Sequence, residues 1–525
     1  AFKFAFILSI ISIPFILYLA GKNFKFTDTE SLLFTAGGLI YLHTSICVDF
    51  IKWGTISFVY ASYLSLYSVS LFYSYLSEGK RKKIVLATLI GCCAIWVHLL
   101  AMICIGMPLF FLILSSFKEI LKNRKLAFCI SALVILIVTM PIYYPLFLFY
   151  ENRTRFFPWE PYYTSSLWEP LKTYIFQMPI FNEYYGIPFK KNSLVDVTIL
   201  FSAIVGYRFL RRENKKALLF CLAGAFASFF LLGFYGSFAE FTRRLTPLRF
   251  LITMNIFLLP SSVVGLYKIY KYLTEDKKVF SKITVQGTAL FFVLTIISMP
   301  YYHFYILKSM RLNTSSTKES TEFINFIREN TTKEGRILME NSDWESGHLY
   351  FGGHLPILLP HYVDREFVGS EYSTDPMIDN FMSFYDGFLF HKKLSWFNRQ
   401  RLEEYFNLYN IKWIICWSKD AVKLMDSFPD YIVKRAVFSP FILYEVNRKG
   451  SYFLSGHGNV KTAINKIWLS NVQSENGKII LSYHWLKTLK TDKAMEVKRV
   501  FLLDDKVGFI EIDNPPKNLT IYNAY

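Results

Sequence analysis

The sequence Arg-Arg-Leu-Thr-Pro-Leu-Arg-Phe, residues 243–250, decides the fold because it joins two long apolar runs and carries three arginines. The flanking runs, 217–235 and 250–272, are long enough to cross the hydrocarbon core of a bilayer. Arginine offers a planar fork of donors that matches the geometry of phosphate. We therefore expect this loop to form part of a pocket for a lipid phosphate, and the alternative is that its side chains snorkel to lipid headgroups. The three arginines are Arg243, Arg244 and Arg249.

Apolar runs of this kind fill the first 305 residues. The chain has 525 residues, of which 53% are hydrophobic, and it contains 52 Phe and 35 Tyr, a composition that is unusual for a soluble protein. The pattern predicts a bundle of about ten transmembrane helices. The ten segments are 2–20, 31–46, 55–76, 84–98, 100–117, 126–149, 194–209, 217–235, 250–272 and 283–305.

The positive charges predict which side of the membrane each loop faces. The net charge is +18, which in a soluble protein would suggest a nucleic-acid partner. Here much of the charge lies in short linkers between apolar runs, so we expect no nucleic-acid partner. Each linker carries four Lys or Arg, and all of them fall on one side, the cytoplasmic one, if the ten segments alternate. The linkers are 79–83, 118–125, 211–216 and 271–282.

The opposite side then receives the remaining loops and the C-terminal part. Loop 47–54, loop 150–193 and loop 236–249 are expected on the outer face, together with everything after about residue 306. His98 is expected at the outer tip of a hairpin between two of the helices. Because the first segment would run inwards, we expect one further helix before Ala1.

The outer loops contain the remaining candidate site residues. Loop 150–193 is rich in aromatic residues and proline, which predicts either an interfacial aromatic belt or a flap over a substrate groove. Its Glu160 and Glu169 are candidates for a catalytic base or a metal ligand. Asp49 and His98 are candidates for contact with a metal or a sugar phosphate. A divalent ion, Mg²⁺ or Mn²⁺, is therefore the cofactor that this arrangement allows.

The C-terminal part has the composition of an ordinary globular protein. Residues 306–450 are predicted to form an extracytoplasmic α/β domain, in which Ile411–Trp417 is a strand covered on both faces. Residues 451–525 are predicted to form a β-rich cap. This part contains no P-loop, nucleophile elbow or zinc spacing.

Several stretches together carry a resemblance to a known superfamily. They are Lys52-Trp53-Gly54, Trp96-Val97-His98, Pro247-Leu248-Arg249-Phe250, Tyr409–Ile415 and Phe441–Val446. With these, the chain resembles the C-type (GT-C fold) membrane glycosyltransferases. It is most similar to a prokaryotic membrane-protein family labelled as 6-pyruvoyl-tetrahydropterin synthase-related.

The resemblance implies glycosyl transfer at the outer face of the plasma membrane. A polyprenyl-phosphate sugar donor would enter from the membrane lipid, and Arg249, with Arg243 and Arg244, would stabilise the departing phosphate. A carboxylate would deprotonate the hydroxyl of a glycan or protein acceptor. Members of the superfamily carry that carboxylate in the first outer loop, which would precede Ala1, so Asp49, Glu160 and Glu169 are the candidates in this chain. The alternative is a non-enzymatic integral membrane protein of the envelope that presents an outer domain.

Overall fold

The chain folds into two compact units. The computed structural model describes residues 2–52, 55–148, 168, 193–243, 245–275, 317–341, 355–369, 382–385 and 387–524. The first unit consists of Ala1–Tyr144 and Pro158–Leu312, and the second of Pro145–Phe157 and Asn313–Tyr525.

The first unit is helical. The part of it that is described contains ten α-helices of eight or more residues. They are α1 (Phe2–Asn23), α2 (Asp28–Leu42), α3 (Ser45–Lys52), α4 (Ile56–Glu78), α5 (Arg81–Val97), α6 (Ala101–Ser115), α7 (Lys125–Leu148), α8 (Ser193–Arg212), α9 (Lys216–Phe230) and α10 (Phe250–Glu275).

The prediction of about ten membrane-spanning helices is wrong for the described residues. Four helical stretches there are long and apolar enough to cross a membrane, and two further apolar helices are shorter. A crossing needs about 20 apolar residues, whereas the two shorter stretches, Ile7–Asn23 in α1 and Ala101–Ser115 (α6), fall below that length. Segment 283–305 lies outside the described residues. The four stretches are Ile56–Glu78, Phe117–Pro145, Lys216–Phe238 and Pro247–Tyr272.

Local signals set several helix boundaries. Helix α2 begins with a capping box, in which Thr27 Oγ1 accepts from the Glu30 amide at 3.2 Å and Glu30 Oε2 accepts from the Thr27 amide at 2.9 Å. The predicted break between 84–98 and 100–117 is confirmed, because α5 ends at Val97 and α6 begins at Ala101. Residues 47–54 were expected to be a loop, but 47–52 lie in α3. This helix has only eight residues and mixes charged with apolar side chains, so it does not show as an apolar run.

Helix α10 lies at the centre of the first unit. Every residue from Phe250 to Gly265 is buried. Its close neighbour is α8, against which small residues allow the two backbones to touch. A Cβ on Gly206 would overlap the Ser261 carbonyl oxygen, and one on Gly265 would overlap that of Ser202. Helix α10 therefore fixes the position of whatever directly precedes it in the chain.

Apolar side chains cover much of the outside of this unit. Only 11% of the most apolar window of Phe117–Pro145 is buried within the unit, against 89% for Pro247–Tyr272. Leu126 and Phe147 of α7 are 74% and 73% exposed. A continuous apolar surface of this kind is not stable in water and is suited to lipid.

The second unit is built on a five-stranded sheet with the order β2-β1-β6-β8-β7. Strands β2, β1 and β6 are parallel, and β8 and β7 complete the sheet in antiparallel pairs. The strands are β1 (Arg336–Met339), β2 (Phe367–Val368), β6 (Ile411–Cys416), β7 (Ile432–Phe438) and β8 (Phe441–Val446), with β3 (Phe384–Tyr385), β4 (Phe388–Leu389) and β5 (Lys392–Lys393) in a small separate sheet.

Helices cover both faces of the five-stranded sheet. On one face α11 (Lys318–Asn330) and α12 (Leu355–Val363) pack against Ile337, Met339 and Ile415. On the other face α13 (Arg399–Leu408) and α14 (Lys419–Asp426) pack against Leu338 and Ile414. The alternation of 337 and 338 between faces is the ordinary two-residue period of a strand. All six residues of β6 are buried, as predicted for a strand covered on both sides.

The C-terminal residues form two four-stranded antiparallel sheets that share a core. The sheet orders are β10-β11-β16-β13 and β14-β15-β12-β9. Leu469 and Leu519 from the first sheet pack with Leu481 and Ile510 from the second. The prediction of a β-rich C-terminal region is confirmed. The strands are β9 (Phe453–Ser455), β10 (His457–Ala463), β11 (Lys466–Gln473), β12 (Lys478–His484), β13 (Leu489–Thr491), β14 (Lys498–Val500), β15 (Phe509–Asp513) and β16 (Asn518–Asn523).

Candidate functional site

Arg249 is held in place by the tight turn that starts the central helix. Thr246 adopts a left-handed backbone conformation, with φ of 52°, and Pro247 begins a short 3₁₀ turn that ends at Arg249. The Arg249 amide donates to the Thr246 carbonyl at 3.1 Å. Proline at this position fixes the backbone for helix entry and needs no hydrogen-bond partner for nitrogen. Arg249 is thus attached rigidly to the most buried helix of the unit.

The Arg249 side chain is half-buried and is not paired with a carboxylate. Within the described residues, no Asp or Glu forms a salt bridge with it. A guanidinium that is withdrawn from water without a counter-ion is unfavourable unless something else neutralises it.

His98 lies beside Arg249 in the turn that follows α5. Its Nδ1 accepts from the Leu100 amide at 3.2 Å, and its ring meets Phe58 edge to face with centroids 5.1 Å apart. Burial and the positive charge of Arg249 lower the pKa of His98 to about 4. The ring is therefore neutral at physiological pH. Since Nδ1 is an acceptor, the ring proton is assigned to Nε2, which can donate to an anion.

A layer of aromatic and small polar side chains closes the bundle beneath these two residues. Phe58 contacts Phe250 with centroids 5.9 Å apart, and Phe250 stacks on Phe229 at 6.1 Å. One turn deeper, Ser62 Oγ and Thr253 Oγ1 share a buried hydrogen bond of 2.9 Å. Helix α4 is thus tied to α10, and His98 meets the same layer through its contact with Phe58 of α4.

The other two arginines of the loop differ from Arg249. Arg243 Nε donates to the Ser237 carbonyl at 2.6 Å, so this guanidinium stabilises the fold of the loop itself. Arg244 lies outside the described residues. Phosphate binding by the loop arginines stays a prediction.

The basic linkers lie at the opposite end of the bundle. Glu78, at the end of α4, pairs with Lys25 and with Lys80. Glu213 pairs with Lys215 at 3.1 Å and with Lys268 of α10 at 2.8 Å. Because Phe58 and Glu78 are at opposite ends of α4, and Arg249 and Lys268 lie towards opposite ends of α10, the two charged regions are at opposite ends of the unit.

Further contacts bring the described basic linkers together at that end. Lys83 Nζ donates to Asn23 Oδ1 at 2.6 Å, and Lys215 Nζ donates to the Lys25 carbonyl at 3.4 Å. Arg124 donates to the Tyr75 carbonyl near the end of α4. The linkers 79–83, 118–125 and 211–216 therefore share one end, as the alternation of the segments predicts.

The side chains of the three predicted catalytic carboxylates all lie outside the described part of the chain. Asp49 lies in α3, which immediately precedes the start of α4, but its side chain is outside what the structure describes. Glu160 and Glu169 also lie outside the described residues. Where side chains are described, no group of three His, Cys, Asp or Glu could hold a metal ion. The catalytic base and the divalent ion stay predictions.

Sequence reasoning missed the layer beneath Arg249. The available signal was the regular spacing of small polar residues in α4, where Ser62, Ser65 and Ser68 recur every third position. Such residues in an apolar helix mark an interface with another helix rather than a lipid-facing surface.

The fold defines a class: a helical unit, in whose described part four helices are long and apolar enough to cross a membrane, and an α/β unit with a β-rich end. No known family model matches the chain, and no curated protein matches its sequence.

Proposed function

We propose that this chain is a membrane glycosyltransferase-like protein that takes its sugar from a polyprenyl-phosphate donor on the outer face of the plasma membrane. The single observation that supports this most is Arg249, a half-buried cation without a described carboxylate partner at the end of the bundle away from the basic linkers. That end is the outer one if the linkers face the cytoplasm. The second unit would then also be on the outer side.

The chemistry follows from the charges that the reaction creates. The acceptor hydroxyl oxygen attacks the anomeric carbon, the new glycosidic bond forms, and the bond from that carbon to the phosphate oxygen breaks. The electron pair leaves with the phosphate, whose added negative charge Arg249 would stabilise in surroundings of low dielectric. His98, neutral and with Nε2–H as donor, would add a hydrogen bond without repelling Arg249. The hydroxyl proton would go to a carboxylate, for which Asp49, Glu160 and Glu169 are candidates within this chain.

The lipid nature of the donor is supported by the surface around the site. The apolar exterior of α7 is suited to lipid, so a ligand with a polyprenyl chain reaches the bundle without leaving the bilayer. A soluble sugar nucleotide would gain nothing from that surface. The acceptor is a glycan or a protein on the outer side.

The test uses the full chain in detergent micelles and compares binding of polyprenyl monophosphate with binding of the uncharged polyprenol. Unmodified protein is expected to prefer the phosphate, and Arg249→Ala to remove that preference, while Arg249→Lys keeps part of it because a lysine lacks the planar fork. Arg212→Ala is the matched control, since Arg212 is an exposed arginine at the basic end.

Turnover is measured with the same variants and a panel of polyprenyl-phosphate sugars. Arg249→Ala is expected to lower kcat/KM by about 100-fold or more, the effect of removing a donor that stabilises developing charge. Binding and turnover that are the same in Arg249→Ala and Arg212→Ala would remove Arg249 from the mechanism. The protein would then be better described as an envelope protein that presents its second unit.

A further inference from the structure

The turn that follows α1 carries a lysine in a backbone conformation that favours glycine. Lys25 has a φ of 62°, and next to it the Phe26 amide donates to the Gly21 carbonyl at 3.1 Å, which closes the end of the helix. Glycine is the usual residue at such a helix end, because a side chain there strains the backbone. Residues in strained conformations are concentrated at functional sites. The side chain of Lys25 is therefore the feature of this turn to which a role can be assigned.

Three ammonium groups meet beside that turn around one carboxylate. Glu78, at the end of α4, pairs with Lys25 and, at 2.9 Å, with Lys80. Lys83, in the first turn of α5, lies close enough to both lysines to repel them. Its Nζ donates to Asn23 Oδ1 at 2.6 Å, and no carboxylate of the described residues forms a salt bridge with it. These three lysines, the lysine cluster, therefore keep an excess of positive charge.

Buried and backbone groups hold the lysine cluster in place. Asn23 is 4% exposed, and its Nδ2 donates to Ser70 Oγ of α4 at 3.1 Å. The Lys25 carbonyl accepts from Lys215 Nζ at 3.4 Å. The ammonium groups nevertheless reach water, since the side chains of Lys25 and Lys80 are 39% and 60% exposed. An anion can thus reach the cluster from the surface and needs no cavity.

The lysine cluster lies where a helix of membrane-crossing length ends. The stretch Ile56–Glu78 is long and apolar enough to cross a bilayer, and its last residue is the carboxylate that two of the lysines share. The end of a crossing helix lies at the level of the lipid headgroups. Exposed apolar side chains begin close to the cluster, at Val85 and Leu89 of α5, which are 57% and 55% exposed. Acyl chains would cover these side chains, whereas a free phosphate ion would gain nothing from them.

The charge of the cluster selects among lipid headgroups. Lysines near a membrane surface attract anionic lipids, and an ammonium group binds a phosphate as a point charge, without the fixed geometry that an arginine requires. An anionic headgroup supplies the negative charge that the cluster lacks. A zwitterionic headgroup brings a cation of its own, which the lysines repel.

We infer that Lys25, Lys80 and Lys83 form a binding site for the phosphate of an anionic phospholipid, in the leaflet at the basic end of the first unit. This site lies at the end of the bundle opposite Arg249 and does not rest on the proposed transfer reaction. It assigns a role to a lysine that the backbone at the end of α1 would otherwise disfavour.

The experiment uses the full chain in uncharged detergent micelles and measures bound phospholipid by native mass spectrometry. Phosphatidylglycerol is the anionic probe and phosphatidylcholine the zwitterionic one. The unmodified chain is expected to prefer phosphatidylglycerol, and inorganic phosphate is expected not to displace it. Lys83→Gln is expected to weaken phosphatidylglycerol binding by about fivefold, the effect of one lysine near an anionic membrane surface. The matched control is Lys122→Gln, an exposed lysine of the linker 118–125 at the same end, which is expected to bind as the unmodified chain does.

A glycine variant separates loss of the charge from loss of the fold. Lys25→Gly removes an ammonium group but suits the left-handed backbone, and Lys80 stays as a partner of Glu78. Its midpoint of thermal unfolding in lipid-free micelles is therefore expected to stay or rise, while phosphatidylglycerol binding falls by about fivefold.

The two proposals can fail separately. Arg249→Ala is expected to keep the preference for phosphatidylglycerol over phosphatidylcholine, and Lys83→Gln is expected to keep the preference for polyprenyl monophosphate over polyprenol. Equal binding of the two phospholipids, equal effects of Lys83→Gln and Lys122→Gln, or displacement of phosphatidylglycerol by inorganic phosphate would each overturn the lipid site.

Discussion

Arg249 and Arg336 are both partly or fully buried, and a carboxylate of the same chain, Glu366, pairs with Arg336. Arg336 Nε donates to Glu366 Oε2 at 2.9 Å, and its guanidinium carbon lies 4.6 Å from the ring centroid of Tyr483 and 5.2 Å from that of Tyr452. Burial opposes the charge, yet Glu366 and the two tyrosines outweigh it and raise the pKa of Arg336. Arg336 is therefore structural, whereas the described residues supply no carboxylate partner for Arg249.

This difference predicts the effect of removing Arg336. The residue joins β1 to Ser482 of β12, at 3.1 Å, so its loss breaks a contact between the five-stranded sheet and the C-terminal sheets. We expect Arg336→Ala to lower the free energy of unfolding of the second unit by about 3–5 kcal/mol, as for other broken buried ion pairs. The measurement is urea unfolding of the full chain followed by tryptophan fluorescence.

The control for Arg336 is an exposed pair in the same unit. Lys498 Nζ lies 2.5 Å from Asp513 Oδ2, and the two side chains are 43% and 45% exposed. Exposed pairs contribute little because water and salt screen them. Lys498→Ala is expected to unfold at nearly the same urea concentration as the unmodified chain. An equal loss of unfolding free energy in Lys498→Ala and Arg336→Ala would contradict the structural role of Arg336.

At the scale of elements, the contact between α8 and α10 depends on glycine. Gly206 and Gly265 allow the two backbones to approach so closely that neither position has room for a side chain. Ser202 and Ser262 add a hydrogen bond of 2.6 Å across the same contact. Since α10 positions Arg249, the packing of these two helices also fixes the candidate site.

We expect Gly206→Ala to separate the two helices and to destabilise the first unit by about 1–3 kcal/mol, the usual cost of overpacking. The chain offers a matched control in Gly106 of α6, where an added Cβ would meet no atom within 4 Å. Gly106→Ala is expected to be neutral or slightly stabilising, because alanine favours helix. Thermal unfolding in detergent micelles measures both variants, and equal midpoints would show that the contact is not tight in solution.

Elements were predictable where one strong pattern controlled them. The break at His98 and the buried strand β6 are both evident from apolar runs and their ends. Helix α3 was missed because its eight residues, Ser45–Lys52, mix charge with apolar side chains. The hairpin β10–β11 was missed because β10 alternates only between half-buried and exposed residues and so has no apolar face to detect.

At the scale of the whole molecule, the number of apolar segments did not give the number of membrane-length helices. Apolar composition marks burial in protein as well as burial in lipid, and sequence alone does not separate the two. Both α7 and α10 are long and apolar enough to cross a membrane, yet α10 is mostly buried by its neighbours and α7 is mostly uncovered. Of the candidate site, Arg249 and His98 were predictable as separate residues. Their proximity depends on how α5 and α10 each pack against α4, which no local pattern encodes.

The grouping of the basic linkers leads to a prediction for the molecule in its membrane. Three described linkers share one end of the first unit, and positive charge is retained on the cytoplasmic side. Asn123, exposed in the linker 118–125, is then cytoplasmic, and Ile464, which is 92% exposed in the turn between β10 and β11, is outside. All native cysteines are replaced by alanine, and a single cysteine is placed at one of these two positions. Its labelling then reports on which side of the membrane that position lies.

A maleimide that does not cross membranes is expected to label Ile464→Cys in intact cells and Asn123→Cys only after the membrane is opened. Labelling of Asn123→Cys alone in intact cells would place Arg249 on the cytoplasmic face, where the donor proposed here is not presented. Labelling of both positions from outside would mean an even number of crossings between them, whereas the proposed arrangement requires an odd number. Either result would remove the outer-face reaction.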